Sequence, residues 1–303
     1  MTVLRRFIAL AAALLVLVSA CSSTSREVAR VGDTVITEKD LAALYAVDSL
    51  PVDEPLRATI FALIAKAVLL DAMQVEFGAN LDDAQVQTVY DRLVSQMESA
   101  NLTPADFLNL PGAGLGMIRF NAEIAVVRSS VMESLVAQPG YLDSLFADPT
   151  ILTTVCAKHI LVATEEEAQA VRTRLEAGED FATVAGEVSL DTSSAGGDLG
   201  CNLAASYVEP FGSTTVSAPL NEPTGPLQTE FGWHVLVVSE RSSPTREEIA
   251  ADPLGTMPSA ELNAIWQTWF NDKLQEATVE LASRYGTWSA VGIVPPDTST
   301  TAP

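Results

Sequence analysis

Ser189-Leu190-Asp191-Thr192-Ser193-Ser194-Ala195-Gly196-Gly197-Asp198-Leu199-Gly200 is a run of small, polar and glycine residues with neither a helical nor a strand period, and it reads as a loop. Its surroundings are regular. Upstream, Thr153 to Val162 is strand-like, and Thr164-Glu165-Glu166-Glu167 is a capping box opening a helix that stops at Gly178. Asp180-Phe181 starts a second, short helix. Downstream, Gly225 to Gln228 and the valine-rich stretch Trp233 to Ser239 read as strands. One strand, two helices, a loop and two late strands imply an α+β domain over residues 150–241, with a small antiparallel sheet of about four strands.

The flanks follow another rhythm. Val28 to Thr37 alternates β-formers around Gly32-Asp33, a hairpin signal, and Thr37-Glu38-Lys39-Asp40 starts a helix. From Pro55 to Phe77, Leu56, Ile60, Leu63, Ile64, Leu69, Met73 and Phe77 recur at helical spacing until Gly78. Further helices are expected from Asp82, from Thr103-Pro104, and over Ile118 to Val136, the last ended by Pro139-Gly140. Residues 27–148 thus read as mostly helical and contain no histidine. After the sheet domain, one long helix is expected from Ser259 to Tyr285, carrying Leu262, Ile265, Trp266, Trp269, Phe270, Leu274 and Leu281. One-sided apolar helices on both flanks need a partner. Residues 27–148 and 245–290 are therefore expected to form one helical body, with residues 150–241 inserted between its parts. Residues 295–303 are Pro/Thr/Ser-rich and are expected to be disordered.

Composition narrows the function classes. The 303 residues hold 39 acidic and 17 basic side chains, a formal charge of −22, which would repel a phosphate backbone and makes nucleic acid an unsuitable partner. Residues 1–20 read as an export signal: Arg5 and Arg6 supply positive charge, and Phe7 to Ala20 is an apolar run shorter than the roughly 20 residues that span a bilayer. Val18-Ser19-Ala20-Cys21 resembles a lipobox, after which Cys21 would be acylated; the other reading is an ordinary secretory signal with an incidental cysteine. On the lipobox reading residues 21–26 are a tether, two or more acyl chains hold the chain on a membrane, and the protein is an extracytoplasmic, membrane-anchored lipoprotein. Cys156 and Cys201 remain. In an exported chain they read as one disulfide, with two buried free thiols as the alternative, and a zinc site lacks enough ligands.

Five stretches of the sheet domain carry a family resemblance. Cys156-Ala157-Lys158-His159-Ile160-Leu161-Val162 resembles the first strand of the parvulin-type peptidyl-prolyl isomerases; Gly178-Glu179-Asp180-Phe181 with Ala185 resembles their next signature. Ser189 to Gly200, Gly225-Pro226, and Thr229-Glu230-Phe231-Gly232-Trp233-His234-Val235 complete the set in the family's order. The only two histidines of the chain, His159 and His234, fall on the family's two histidine positions. The opening residues 28–41 and the arrangement of the whole chain are similar, less specifically, to the SurA and PrsA families of exported foldases.

The resemblance implies a catalyst for rotation about X-Pro bonds. That bond favours trans by only about 0.5–1 kcal/mol, yet it crosses a barrier of about 18–20 kcal/mol set by amide resonance. No bond to substrate needs to be made, so a dry proline pocket and polar groups near the imide suffice. The family pattern places the pocket at Leu199, Tyr207 and Phe211, with core packing as the plain alternative for Leu199 and Phe211. It places Asp191 beside the twisting bond, and Thr229 in a hydrogen-bonded cluster with His159 and His234. No cofactor or metal is expected; the partners would be unfolded, proline-containing exported polypeptides. Some positions depart from the pattern. Cys201 to Ser206 replaces an aromatic and a glycine turn, Tyr207 stands where methionine is common, and Gly212 to Pro219 is poor in helix formers. These departures keep a second reading open, a non-enzymatic holdase with a degenerate parvulin module. A Cys-His hydrolase is a more remote third.

Overall fold

A computed structural model of the chain describes residues 25–46 and 54–296. Residues 1–20, expected to be an export signal, Cys21, and residues 297–303 of the expected disordered tail lie outside the described residues. The chain begins with a hairpin, β1 (Glu27–Val31) and β2 (Thr34–Thr37), which turns at Gly32 with φ +53°. The Asp40 carboxylate accepts the backbone N–H of Thr37 at 2.8 Å and opens α1 (Glu38–Leu44). Next come α2 (Glu54–Phe77), α3 (Asp83–Ser99), α4 (Pro104–Leu108), α5 (Leu115–Val136) and α6 (Tyr141–Ala147). Helix α2 is long and apolar enough to cross a membrane by length and composition. Here it is the central pillar of the body instead, with Ile60, Ile64 and Met73 fully buried, as a helix apolar on most sides requires.

The sheet domain comprises β3 (Thr154–Val162), α7 (Glu165–Glu176), α8 (Phe181–Val188), β4 (Asp198–Leu203), α9 (Phe211–Ser217), β5 (Thr224–Thr229) and β6 (Gly232–Ser242). Its strands run antiparallel in the order β4-β3-β6-β5. Alternation along β3 sends Ile160 and Val162 to the face covered by α7 and α8, and Val155 and Ala157 to the face covered by α9. His159 lies on that second face. Cys156 stands directly opposite Cys201, and the two are disulfide-bonded, which ties the edge strand β4 to the centre of the sheet.

The chain then returns to the body through α10 (Arg246–Ala251), α11 (Pro253–Thr256), α12 (Ser259–Glu276), β7 (Val279–Leu281) and the hairpin β8 (Thr287–Ser289) and β9 (Gly292–Val294). Leu262, Trp266 and Trp269 of α12 pack with Leu69 and Met73 of α2 and with Val127 and Val131 of α5. The Trp269 indole N–H donates to Glu76 at 2.7 Å.

Four differences from the sequence reading have local causes. The helix expected to Tyr285 ends at Glu276. Beyond it Val279 pairs with Val31 and Leu281 with Ala29, because β1 has an open edge and β-branched residues suit a strand better than a helix. Helix α6 follows the expected stop, since Gly140 at φ +84° reverses the chain and allows a new start. Strand β4 emerges from a stretch read as loop; it is held by pairing to β3 rather than by its own apolar pattern. Helix α9 forms despite its poor propensities. Its hydroxyls bond back to carbonyls of the preceding turn (Thr214 to Pro210, Thr215 to Gly212), and Phe211 and Thr215 are buried.

The disulfide closes a loop with a sequence separation of 45 residues. Replacing both cysteines by alanine is expected to lower the stability of the sheet domain by about 2–4 kcal/mol. Urea unfolding followed through the backbone amide NMR signals of β3 and β6 measures this, and an unchanged midpoint would contradict it.

Candidate active site

Strand register brings the two histidines together. His234 on β6 is opposite Leu161 and His159 is opposite Leu236, so the imidazoles are diagonal neighbours on one face. Their rings stack with centroids 5.4 Å apart, and their Nδ1 atoms are 3.1 Å apart. The two-residue turn Glu230-Phe231 pairs Thr229 with Gly232 and sets the Thr229 hydroxyl 2.7 Å from His234 Nε2. At the other end the long loop lays Asp191 on His159, with Asp191 Oδ2 2.7 Å from Nε2. Gly197 makes this approach possible. It sits at φ +74°, where a Cβ would come within 2.3 Å of the His159 carbonyl oxygen.

The row of hydrogen bonds has a direction that its ends impose. Asp191 also accepts from the Ser193 hydroxyl at 2.6 Å, from the Ser193 backbone N–H at 2.9 Å and from the Ser194 hydroxyl at 2.9 Å. The Ser193 hydroxyl above all, and then His159, hold its carboxyl well below the usual carboxylate range. It is therefore an ionised, acceptor-only end, and His159 Nε2 must carry a hydrogen. With both imidazoles neutral, His159 Nδ1 accepts from His234 Nδ1–H, and His234 Nε2 accepts from the Thr229 hydroxyl. The Thr229 oxygen in turn accepts the Phe231 backbone N–H at 3.2 Å. The reverse direction would set two lone pairs against each other at Asp191. Burial above all, helped by the neighbouring His159, lowers the His234 pKa to about 4, while Asp191 pulls the other way.

Against this polar row lies an aromatic floor. Phe211 is buried, and its ring stands edge-on to His159 at 5.7 Å and to His234 at 5.3 Å. The Tyr207 ring is 5.2 Å from Phe211, and Tyr207 and Leu199 are both half-buried beside it. All seven residues singled out for the site thus lie in one contiguous group. The sequence reading missed Ser193, Ser194 and the Phe231 N–H. The Asp-x-Ser spacing is a signal for such a turn, and the Ser193 contacts have that form; the other two contacts have no local signature.

The site has no free nucleophile. Both imidazoles are committed at both nitrogens, and Cys156 and Cys201 are bonded to each other, which rules out the Cys-His hydrolase expectation for these cysteines. Among the described residues, no group of three or more His, Cys, Asp or Glu side chains is placed to hold a metal ion. The arrangement offers an apolar, largely aromatic floor edged by fixed dipoles and one ionised carboxylate.

Residues 150–242 match the PPIC-type PPIASE domain family. Over 153 residues the chain is 32% identical to the foldase protein PrsA of Clostridium tetani, an alignment spanning 48% of this chain and 45% of that protein. It is 29% identical over 233 residues to the foldase protein PrsA of Clostridium acetobutylicum, spanning 73% of this chain and 69% of that one. A crystal structure of the peptidylprolyl isomerase PrsA from Bacillus anthracis aligns over 72% of this chain and 96% of its own, at 18% identity and a TM-score of 0.42.

The neutral His234 makes stability depend on pH. Its folded-state pKa of about 4 lies below the ordinary 6.5, so between those values the unfolded chain takes up a proton that the folded chain refuses. Stability is expected to fall as pH drops through this window, by up to about 3 kcal/mol. Asp191 adds its own loss only at lower pH, because its pKa is depressed. Urea unfolding of the wild type and of His234→Gln from pH 7.5 to 4.5 reads this directly. The substituted chain should lose much less, and equal slopes would mean that His234 is charged in the fold.

Proposed function

We propose that this chain, whose residues 150–242 form a PPIC-type parvulin domain, is a peptidyl-prolyl cis-trans isomerase and folding chaperone for exported proteins. One observation carries the reading: the Asp191–His159–His234–Thr229 row stands directly against the buried Phe211, with Leu199 and Tyr207 packed beside it as an apolar surface. A proline ring has the apolarity to lie on this surface, in a hollow above Phe211. Once the ring is held, the acyl side of the imide is free to rotate. The perpendicular amide loses its resonance, so its carbonyl carries less negative charge and its nitrogen gains a lone pair. A site that keeps water away from the carbonyl and presents fixed polar groups favours this twisted form over either planar one. Each 1.4 kcal/mol of that preference is about tenfold in rate. The histidines act through their stacking and hydrogen bonds; they fix the floor and hold the Thr229 hydroxyl in place.

Export and anchoring belong to the same proposal. The support is the sequence Val18-Ser19-Ala20-Cys21 after a positive and then apolar segment, together with a disulfide suited to an oxidising compartment. On this reading lipid on Cys21 holds the protein at a membrane, where proline-containing unfolded exported chains are its substrates. The holdase alternative is separated by the assay below.

Cis–trans exchange of an Ala-Ala-Pro-Phe peptide, followed by NMR with the full chain present, is expected to be accelerated. Phe211→Ala should raise KM by emptying the floor. Asp191→Ala should lower kcat with little change in KM, by roughly 10–100-fold for the loss of a charge-assisted hydrogen bond network of about 1.5–3 kcal/mol. Folded wild-type chain that leaves the exchange rate unchanged would support the holdase alternative instead.

A further inference from the structure

The turn that fixes Thr229 carries two side chains that the site does not use. Glu230 is exposed and, among the described residues, has no hydrogen-bond or ion-pair partner. Phe231 is 62% exposed, the most exposed large apolar side chain of the sheet domain, although its backbone N–H is locked into the row of hydrogen bonds. An aromatic ring left in water beside a free carboxylate is the chemistry that receives a long cationic side chain. The alkyl stem lies along the ring, the charge sits over its face, and the head reaches the carboxylate.

The charge distribution points the same way. Between Arg174 and Arg241 the chain holds ten carboxylates and neither lysine nor arginine, and this run contains every site residue except His159. Glu209 lies between the two aromatic pocket residues, and Asp191 closes the far end. The cations of the domain are placed elsewhere. Lys158 alternates to the opposite face of β3, near Asp180. Arg174 is paired with Glu179 and Glu187, and Arg172 with Glu176 and the Gly225 carbonyl. Arg241 donates to the Thr215 and Ala218 carbonyls, seven residues along β6 from His234, or roughly 20 Å at the rise of a strand. Among the described residues, no cation of the sheet domain is placed at the hollow.

We propose that Glu230 and Phe231 form a specificity subsite at the edge of the proline hollow, which selects substrate segments carrying lysine or arginine next to the proline and turns away acidic or phosphorylated ones. This rests on the isomerase reading above and adds the substrate class. A peptide enters with its flanking side chain over the turn, and the field of unbalanced carboxylates favours a cation before contact is made.

The test is a set of Ala-Xaa-Pro-Phe peptides with Xaa lysine, alanine, glutamate or phosphoserine, and a second set with the same residues following proline. NMR exchange with the full chain reads kcat/KM at 20 mM and 500 mM NaCl. In at least one set the order lysine, alanine, glutamate, phosphoserine is expected at low salt. Lysine should exceed glutamate by roughly tenfold, and the ratio should shrink toward one at high salt as the charges are screened. Glu230→Gln should lower the ratio, Glu230→Lys should invert it, and Phe231→Ala should lower it while keeping the backbone N–H. Equal rates for lysine and glutamate peptides at low salt, with the alanine peptide turned over, would overturn the subsite and leave the isomerase reading intact. Failure to turn over any peptide would overturn the isomerase reading instead. Chemical-shift titration of the same lysine and glutamate peptides would then decide the charge preference, and equal affinities would overturn it.

Discussion

Asp191 accepts hydrogen bonds from four donors at once: two from Ser193, one from Ser194 and one from His159. An ionised group so heavily supplied with donors has no lone pair to spare and no reason to take a proton. That constraint passes inward atom by atom. It decides which nitrogen of His159 bears hydrogen, hence which nitrogen of His234 does, hence where the Thr229 hydroxyl points. The opposite end is pinned by a backbone N–H that can only donate. A row fixed at both ends has one arrangement, and the aromatic floor is stacked on it edge-on. The loop from Ser189 to Gly197 is thus an arm that delivers one carboxylate to a strand, and Gly197 lets it lie close enough.

The parts that were legible in the sequence are those whose signals are local or singular. A chain with two histidines leaves few ways to build a paired imidazole site, and both fell where the strand register makes them neighbours. The capping box at Thr164 and the N-cap residue Asp82 before α3 announced helix starts, and the apolar density of the segment to Phe77 announced the buried pillar. What stayed hidden depends on partners far along the chain. Leu281 continues a helical spacing, yet with Val279 it becomes a strand because β1 has a second edge that β2 leaves open. Strand β4 has little apolar pattern because it lies at an edge, tied by the Cys156–Cys201 bond. The hydroxyl-rich α9 contradicts its propensities because burial of Phe211 and Thr215 outweighs them.

The two halves of the molecule are stabilised differently. The helical body rests on large apolar layers, where α2 meets α5 and α12 through residues such as Met73, Val131 and Trp266. The sheet domain has smaller cores on each face, and Phe211 serves both as core and as floor of the hollow. On the proposed reading a substitution there would change packing and recognition together, which is why KM and stability are to be measured side by side.

The packing of α12 and β7 on the first helices has a consequence for the order of assembly. Strand β1 finds its second neighbour only in β7, about 250 residues away, and α2 completes its core only with α12, about 190 residues away. The sheet domain, by contrast, closes entirely within residues 154–242. A chain delivered from its N-terminus can therefore complete the sheet domain while the helical body still has an open face. Body closure must wait for the last quarter of the chain, and a molecule truncated there would keep its hollow but expose the apolar flank of α2.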